Sequence, residues 1–259
     1  MATALITGAS NGIGLELAKI HASKGDNLVL VARNISSLQL LKSELEKSFK
    51  ISVYVIGKDL SKINSAQEVF EEVKSKNIKI DYLINNAGFG DFGLFIETDW
   101  SKEEQMLQLN ITTLTQFTKL YAKEMVKQGN GKIMNVASTA AFQSGPTMAL
   151  YYATKAYVLS FSEAINNELE GTGVSVTTLC PGATESGFQA AAAMEESALV
   201  KGKKLPSSKE VAEYGYKAMM KNKVVAIHGL MNYIMANSVR FIPRNIVVKV
   251  TRKIQDKAH

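Results

Sequence analysis

Tyr151 and Lys155 stand four residues apart in a segment, 149–170, whose periodicity predicts a helix, so both side chains share one face. A phenol on its own titrates near pH 10. A cation about 4 Å from it, at an effective dielectric near 20, is worth about 4 kcal/mol. That is enough to bring the tyrosine close to neutrality, where giving and taking a proton is efficient. The neighbouring Tyr152 has Ala156 at the equivalent position and lacks this partner. A Tyr-x-x-x-Lys pair also occurs on ordinary helix surfaces, so its company matters. Ser138 ends the strand-like run Asn135-Val136-Ala137-Ser138, where its hydroxyl would face a crevice, and Asn110 lies in an earlier helical segment.

A second chemistry-bearing stretch is Thr7-Gly8-Ala9-Ser10-Asn11-Gly12-Ile13-Gly14. Gly8, Gly12 and Gly14 let the backbone turn sharply and approach a ligand, and the helix that follows aims its N–H groups at an anion. A dinucleotide pyrophosphate suits that place. The same residues also match G-x-S-x-G, with Ser10 as a nucleophile that would need His228 downstream. The next strand ends in Val31-Ala32-Arg33, with no acid to bind a ribose 2′-hydroxyl. Arg33 offers a planar donor fork to a 2′-phosphate instead, which predicts NADP(H) over NAD(H); the alternative is a solvated surface arginine.

These residues need a frame, and the order of apolar runs supplies one. Strands are expected at 3–7, 27–32, 51–56, 80–84, 132–137 and 174–179. Helices are expected at 12–24, 35–49, 64–76, 102–127 and 149–170. Near-continuous apolar strands alternating with helices predict an α/β fold, a doubly wound parallel sheet of Rossmann-like type. In such sheets ligands sit beyond the carboxyl ends of the strands, where the candidate residues gather. With four prolines and no linker-like run in 259 residues, the chain reads as a single domain over 1–259. Within it, 183–205 is a helical substrate lid or an ordinary surface helix. Residues 230–259 form an apolar and basic C-terminal extension that packs on the domain, meets a partner subunit or touches a membrane surface.

The start of the chain has no signal-peptide pattern, and Cys180 is the single cysteine, which fits a reducing, cytoplasmic setting. His21, His228 and His259 have no metal-ligand spacing, so no metal is expected. The net charge of +6 is spread along the chain without a base-reading module, so no nucleic acid is expected.

Taken in order, the glycine turn, Asp59-Leu60, Asn85-Asn86-Ala87-Gly88, Asn110, Ser138, Tyr151 with Lys155, and Pro181-Gly182 resemble the short-chain dehydrogenase/reductase family over about residues 1–190. The remainder, through Cys180–Thr184 and Phe241–Asn245, is similar to NADP-using reductases of apolar carbonyl compounds. The resemblance implies an oxidoreductase with an Asn110, Ser138, Tyr151, Lys155 tetrad. Tyr151 would be the general acid in reduction and the base in oxidation. Lys155 would lower its pKa and hold the nicotinamide ribose, Ser138 the substrate oxygen, and Asn110 a relay water. Gly8, Ser10, Asn11, Gly12, Ile13, Gly14, Arg33 and Leu60 would bind the cofactor, with Asp59 at the adenine. Asn86, Ala87 and Gly88 would line it, and Pro181, Gly182, Thr184 and Ser186 would border the nicotinamide. The implied partners are a ketoacyl, steroid-like or simple ketone or aldehyde substrate and further copies in a homodimer or homotetramer. A non-catalytic NADP(H)-sensing or scaffold protein is the alternative on the same fold.

Overall fold

The computed structural model describes residues 1–187, 202 and 204–255. Most of the expected lid, 188–201 and 203, and the last residues of the tail, 256–259, lie outside the described residues. Seven parallel strands form one sheet: β1 (Thr3–Thr7), β2 (Asn27–Ala32), β3 (Val53–Gly57), β4 (Tyr82–Asn85), β5 (Gly131–Val136), β6 (Val174–Cys180) and β7 (Val225–Ile227). Their spatial order is β3-β2-β1-β4-β5-β6-β7. The order reverses between β1 and β4, which opens a crevice above their carboxyl ends.

Alternation along each strand assigns its side chains to the two faces. Ala4, Ile6, Leu28 and Leu30 point to one face, under α1 (Gly12–Ser23) and α2 (Ile35–Ser48). Leu5, Val29, Val31 and Leu83 point to the other, under α3 (Ser65–Ser75). That second face is also covered by α5 (Leu114–Gln128), through Phe117, Tyr121 and Met125. Covering both faces explains why the strands read as continuous apolar runs.

The long helix expected at 102–127 is present with an interruption. α4 (Trp100–Leu107) passes into a π-helical turn, Gln108–Thr113, and then into α5. Asp99 caps α4 by accepting from the Ser101 N–H at 3.0 Å, and α5 stops at Gly129, whose φ of 71° suits glycine. A 3₁₀ turn, Thr139–Phe142, leads towards α6 (Ala149–Glu168). After β6 come α7 (Ser208–Met220), α8 (Leu230–Ser238), a 3₁₀ turn at Val239–Phe241 and α9 (Arg244–Gln255). α7 starts in a capping box between Ser207 and Glu210. Val211 and Met219 of α7 complete the first face of the sheet.

Leu5 is fully buried, whereas Leu40 is 75% exposed. Leu5→Ala should therefore cost about 2–5 kcal/mol, and Leu40→Ala no more than about 0.5 kcal/mol. Urea unfolding midpoints check this; equal shifts for the two variants would contradict the layer assignment.

Candidate active site

The crevice is built from the ends of β1 and β4. The Thr7 hydroxyl accepts from the backbone N–H groups of Asn86 and Ala87, each at 3.0 Å, and donates to the Ile84 carbonyl at 3.3 Å. Asn86 donates its side-chain amide to the carbonyls of Thr7 and Gly8, at 3.0 and 3.2 Å. This lacing holds the glycine turn against β4. Gly8 has a φ of +66°, and a Cβ on Gly14 would stand 2.4 Å from the Gly8 carbonyl oxygen. Neither position accepts a side chain without rearrangement.

α1 opens without a side-chain cap at Asn11 and with no acid in its first turn. Its first N–H groups and the positive end of its dipole therefore lack an anionic partner from its own turn. That arrangement, with the close backbone at Gly8 and Gly14, fits a dinucleotide pyrophosphate. Ser10 lies in the turn, and Ile13 packs inward on the core. Ser186 lies over Gly12, where an added Cβ would come within 3.3 Å of the serine Cβ. Arg33 is exposed past the end of β2. Burial pushes the Asp59 carboxyl up, but hydrogen bonds from Ser61 and the charge of Arg33 outweigh it, so Asp59 titrates low. Leu60 is buried, and its carbonyl accepts from the Thr113 hydroxyl at 2.9 Å, which ties that segment to the π-helical turn. Pro181, Gly182 and Thr184 follow β6, with the Thr184 hydroxyl donating to the Gly182 carbonyl at 2.9 Å. Asn232 of α8 packs against Gly182.

The four expected catalytic residues converge beside Gly88. A Cβ there would be 3.0 Å from Asn110 Oδ1 and 3.5 Å from Lys155 Nζ. Asn110 sits in the π-helical turn. It donates to the Phe89 carbonyl at 2.9 Å and to the Thr154 hydroxyl at 3.2 Å, and accepts from the Phe89 N–H at 3.3 Å. Ser138 accepts from the Ala140 N–H at 3.1 Å, donates to the Pro181 carbonyl at 3.4 Å, and lies close enough to the Tyr151 hydroxyl to favour its ionised form. Lys155 donates to the Val136 carbonyl at 2.9 Å, and its Nζ lies 5.7 Å from the centroid of the Tyr151 ring.

The electrostatics differ from the expectation drawn from spacing. Burial pushes the Tyr151 phenol well above its ordinary value, with Tyr152 adding to it and the Ser138 hydroxyl opposing. Lys155 is itself stripped of water, and burial takes it from 10.5 down to about 8. The amine points at Val136, and with a pKa of about 8 it keeps most of its charge at pH 7, but the phenol's own burial outweighs its pull. A pull on the phenol estimated for a partly solvated pair about 4 Å apart therefore does not hold here. Left to itself, the fold keeps Tyr151 protonated.

Several supporting residues were not anticipated. Asn85 and Asn135 are register partners at the ends of β4 and β5. Asn85 donates to Asn135 at 2.9 Å and to Thr118 at 3.1 Å, and Asn135 donates to Ser162 at 2.9 Å. This buried chain joins the sheet to α5 and α6 under the site. An asparagine at each of two apolar strand ends was the available signal. Apolar walls come from Met106, Met148 and Tyr152, with Phe89, Phe92 and Leu150 packed against them. The rival reading of Ser10 finds no support: among the described residues no hydrogen bond joins Ser10 to a histidine, and His228 lies edge-on to Tyr214.

Residues 2–197 match the family model of short chain dehydrogenase. The chain belongs to the short chain dehydrogenase family. The family's members are oxidoreductases of alcohol and ketone groups that bind a nicotinamide dinucleotide. This dehydrogenase is 31% identical over 180 residues to 7beta-hydroxysteroid dehydrogenase of Collinsella aerofaciens, across 70% of this chain and 68% of that enzyme. It is 30% identical over 182 residues to 17-beta-hydroxysteroid dehydrogenase type 3 of Mus musculus, across 69% of this chain but only 58% of that longer protein. It superposes on a short-chain dehydrogenase from Sphingobium yanoikuyae in complex with NADPH with a TM-score of 0.83 and 30% identity, over 93% of this chain and 94% of that one. A Burkholderia phymatum structure of the same fold holds NAD.

A folded-state value near 8 for Lys155 means that holding the ammonium costs about 3 kcal/mol at neutral pH. The penalty is full below about pH 8 and fades as pH climbs towards the unfolded value of 10.5. Lys155→Met should thus raise the melting temperature relative to wild type at pH 7, with the advantage shrinking towards pH 10. A difference that is independent of pH would show that Lys155 is not a desolvated cation.

Proposed function

We propose that this short chain dehydrogenase uses NADP(H) to reduce the carbonyl of an apolar, steroid-like ketone, or to oxidise the corresponding alcohol. The observation that carries the reading is the convergence of Ser138, Tyr151, Lys155 and Asn110 beside Gly88, at the crevice onto which the uncapped end of α1 opens. When bound, the nicotinamide supplies or accepts the hydride.

The chain's own residues do the remaining work. Ser138 holds the substrate oxygen, fixed by its bond from the Ala140 N–H. Tyr151 delivers a proton to that oxygen during reduction and takes it back during oxidation. The raised phenol pKa supports a proton-loaded tyrosine ready for reduction. Lys155 orients the crevice from its seat on Val136 and offers its remaining N–H groups to the cofactor ribose. Asn110 keeps the segment at Gly88 in place through Phe89 and Thr154. Met148, Leu150 and Phe89 favour an apolar substrate. The hydroxysteroid activity in the names of the relatives supports the same class. Arg33, exposed beyond β2 with no acid ending that strand, favours the 2′-phosphate of NADP(H). Assembly into a homodimer or homotetramer, as the resemblance implies, is part of the same proposal.

The test is a screen of ketosteroids, 3-oxoacyl esters and simple aldehydes with NADPH and with NADH. Ketosteroid-dependent consumption of NADPH, slower with NADH, is expected. Arg33→Ser should raise KM for NADPH about ten- to a hundredfold while leaving NADH use unchanged, the size of a lost charge-assisted contact. Equal or faster wild-type turnover with NADH would overturn the cofactor assignment, and an absence of carbonyl-dependent oxidation would favour a sensing role.

A further inference from the structure

The last helix carries its polarity inside out. On α9, Ile246, Val250 and Ile254 recur every four residues, and all three are exposed. The polar residues Thr251 and Gln255 are the buried ones, and Gln255 donates to the Tyr152 hydroxyl. An amphipathic helix docked only for the stability of its own domain would turn the apolar stripe inward. α8 repeats the arrangement: Leu230, Met231, Ile234 and Met235 are exposed, and Ala236 alone is buried. Between the two helices Phe241 stands 87% exposed, next to Ile242. So many large apolar side chains exposed within one short segment of chain call for a partner.

Charge decides which partner. Residues 229–255 contain no aspartate or glutamate. Arg240, Arg244, Lys249 and Lys253 are exposed along the same stretch. A second copy meeting this face by a two-fold axis would bring the same cations against one another. An anionic lipid surface accepts both components, the cations among the headgroups and the apolar stripe at the acyl boundary. Among the described residues no helix is long and apolar enough to cross a bilayer, and α9, with 12 residues, spans about 18 Å. On such a surface the helix would lie in the interface plane.

We infer that α8, the Val239–Phe241 turn and α9 form a peripheral docking surface for anionic membranes. The surface adjoins the candidate site at two points, Gln255 against Tyr152 and Asn232 against Gly182. Docking would therefore set the site beside the lipid phase, from which an apolar substrate can partition. The docking itself does not depend on the reaction proposed above.

The test is co-sedimentation of the full chain with phosphatidylcholine vesicles that contain or lack phosphatidylserine. Binding should require phosphatidylserine and fall as salt is raised. Two sets of exposed substitutions probe the two components separately: Arg244→Glu with Lys249→Glu and Lys253→Glu, and Phe241→Ser with Ile242→Ser. Each set should lower partitioning by about tenfold or more. Failure of the wild type to bind, or binding by either variant equal to the wild type's, would overturn the inference. So would a change of oligomeric state in either variant without vesicles, measured by sedimentation velocity, since it would assign the face to a second copy.

Discussion

A buried ammonium needs an acceptor, and in this chain the acceptor is one backbone carbonyl. Lys155 reaches across from α6 to Val136 at the end of β5, at 2.9 Å. That bond fixes the distance between helix and sheet at the point where Ser138 and Tyr151 meet. It also leaves the amine dry, which draws its pKa to about 8. The same exclusion of water holds the Tyr151 phenol above its ordinary value. One packing arrangement thus sets the positions of three groups and the protonation of two of them, Lys155 and Tyr151.

The rest of the fold serves to hold that arrangement opposite a binding crevice. The Thr7 and Asn86 hydrogen bonds lace β1 to β4 at the point where strand order reverses. The asparagine pair under the site extends the bracing to β5, α5 and α6. The side-chain N–H groups of both asparagines find acceptors, which makes the network specific about geometry, while Asn85 Oδ1 stays buried without a partner. Family membership tells what kind of chemistry this scaffold serves.

The frame was legible because the strands are buried on both faces. β1 and β2 were read with the bounds that the structure has. Elsewhere hydropathy reported burial and not ladder pairing. Ile80 is buried and looked like the start of a strand, yet β4 begins at Tyr82. The π-helical turn escaped because one widened turn barely disturbs helical periodicity, although Asn110 depends on it. β7 is only three residues long and carries no periodic signal. α7 does carry one, the Ser207–Glu210 capping pattern. The candidate site residues gather largely as the motifs suggested. The pKa of Tyr151 did not follow, because a spacing of four residues fixes a shared helix face but says nothing of solvent.

The central claim is that the Tyr151 hydroxyl is the proton carrier at this site. The direct measurement is single-turnover oxidation of bound NADPH by a ketosteroid substrate in Tyr151→Phe, with NADPH affinity measured separately by fluorescence. The account predicts affinity within about twofold of wild type, since removing one hydroxyl leaves the glycine turn and Arg33 intact, and turnover reduced by about 10²–10⁴-fold. Turnover close to wild type in this variant would contradict it.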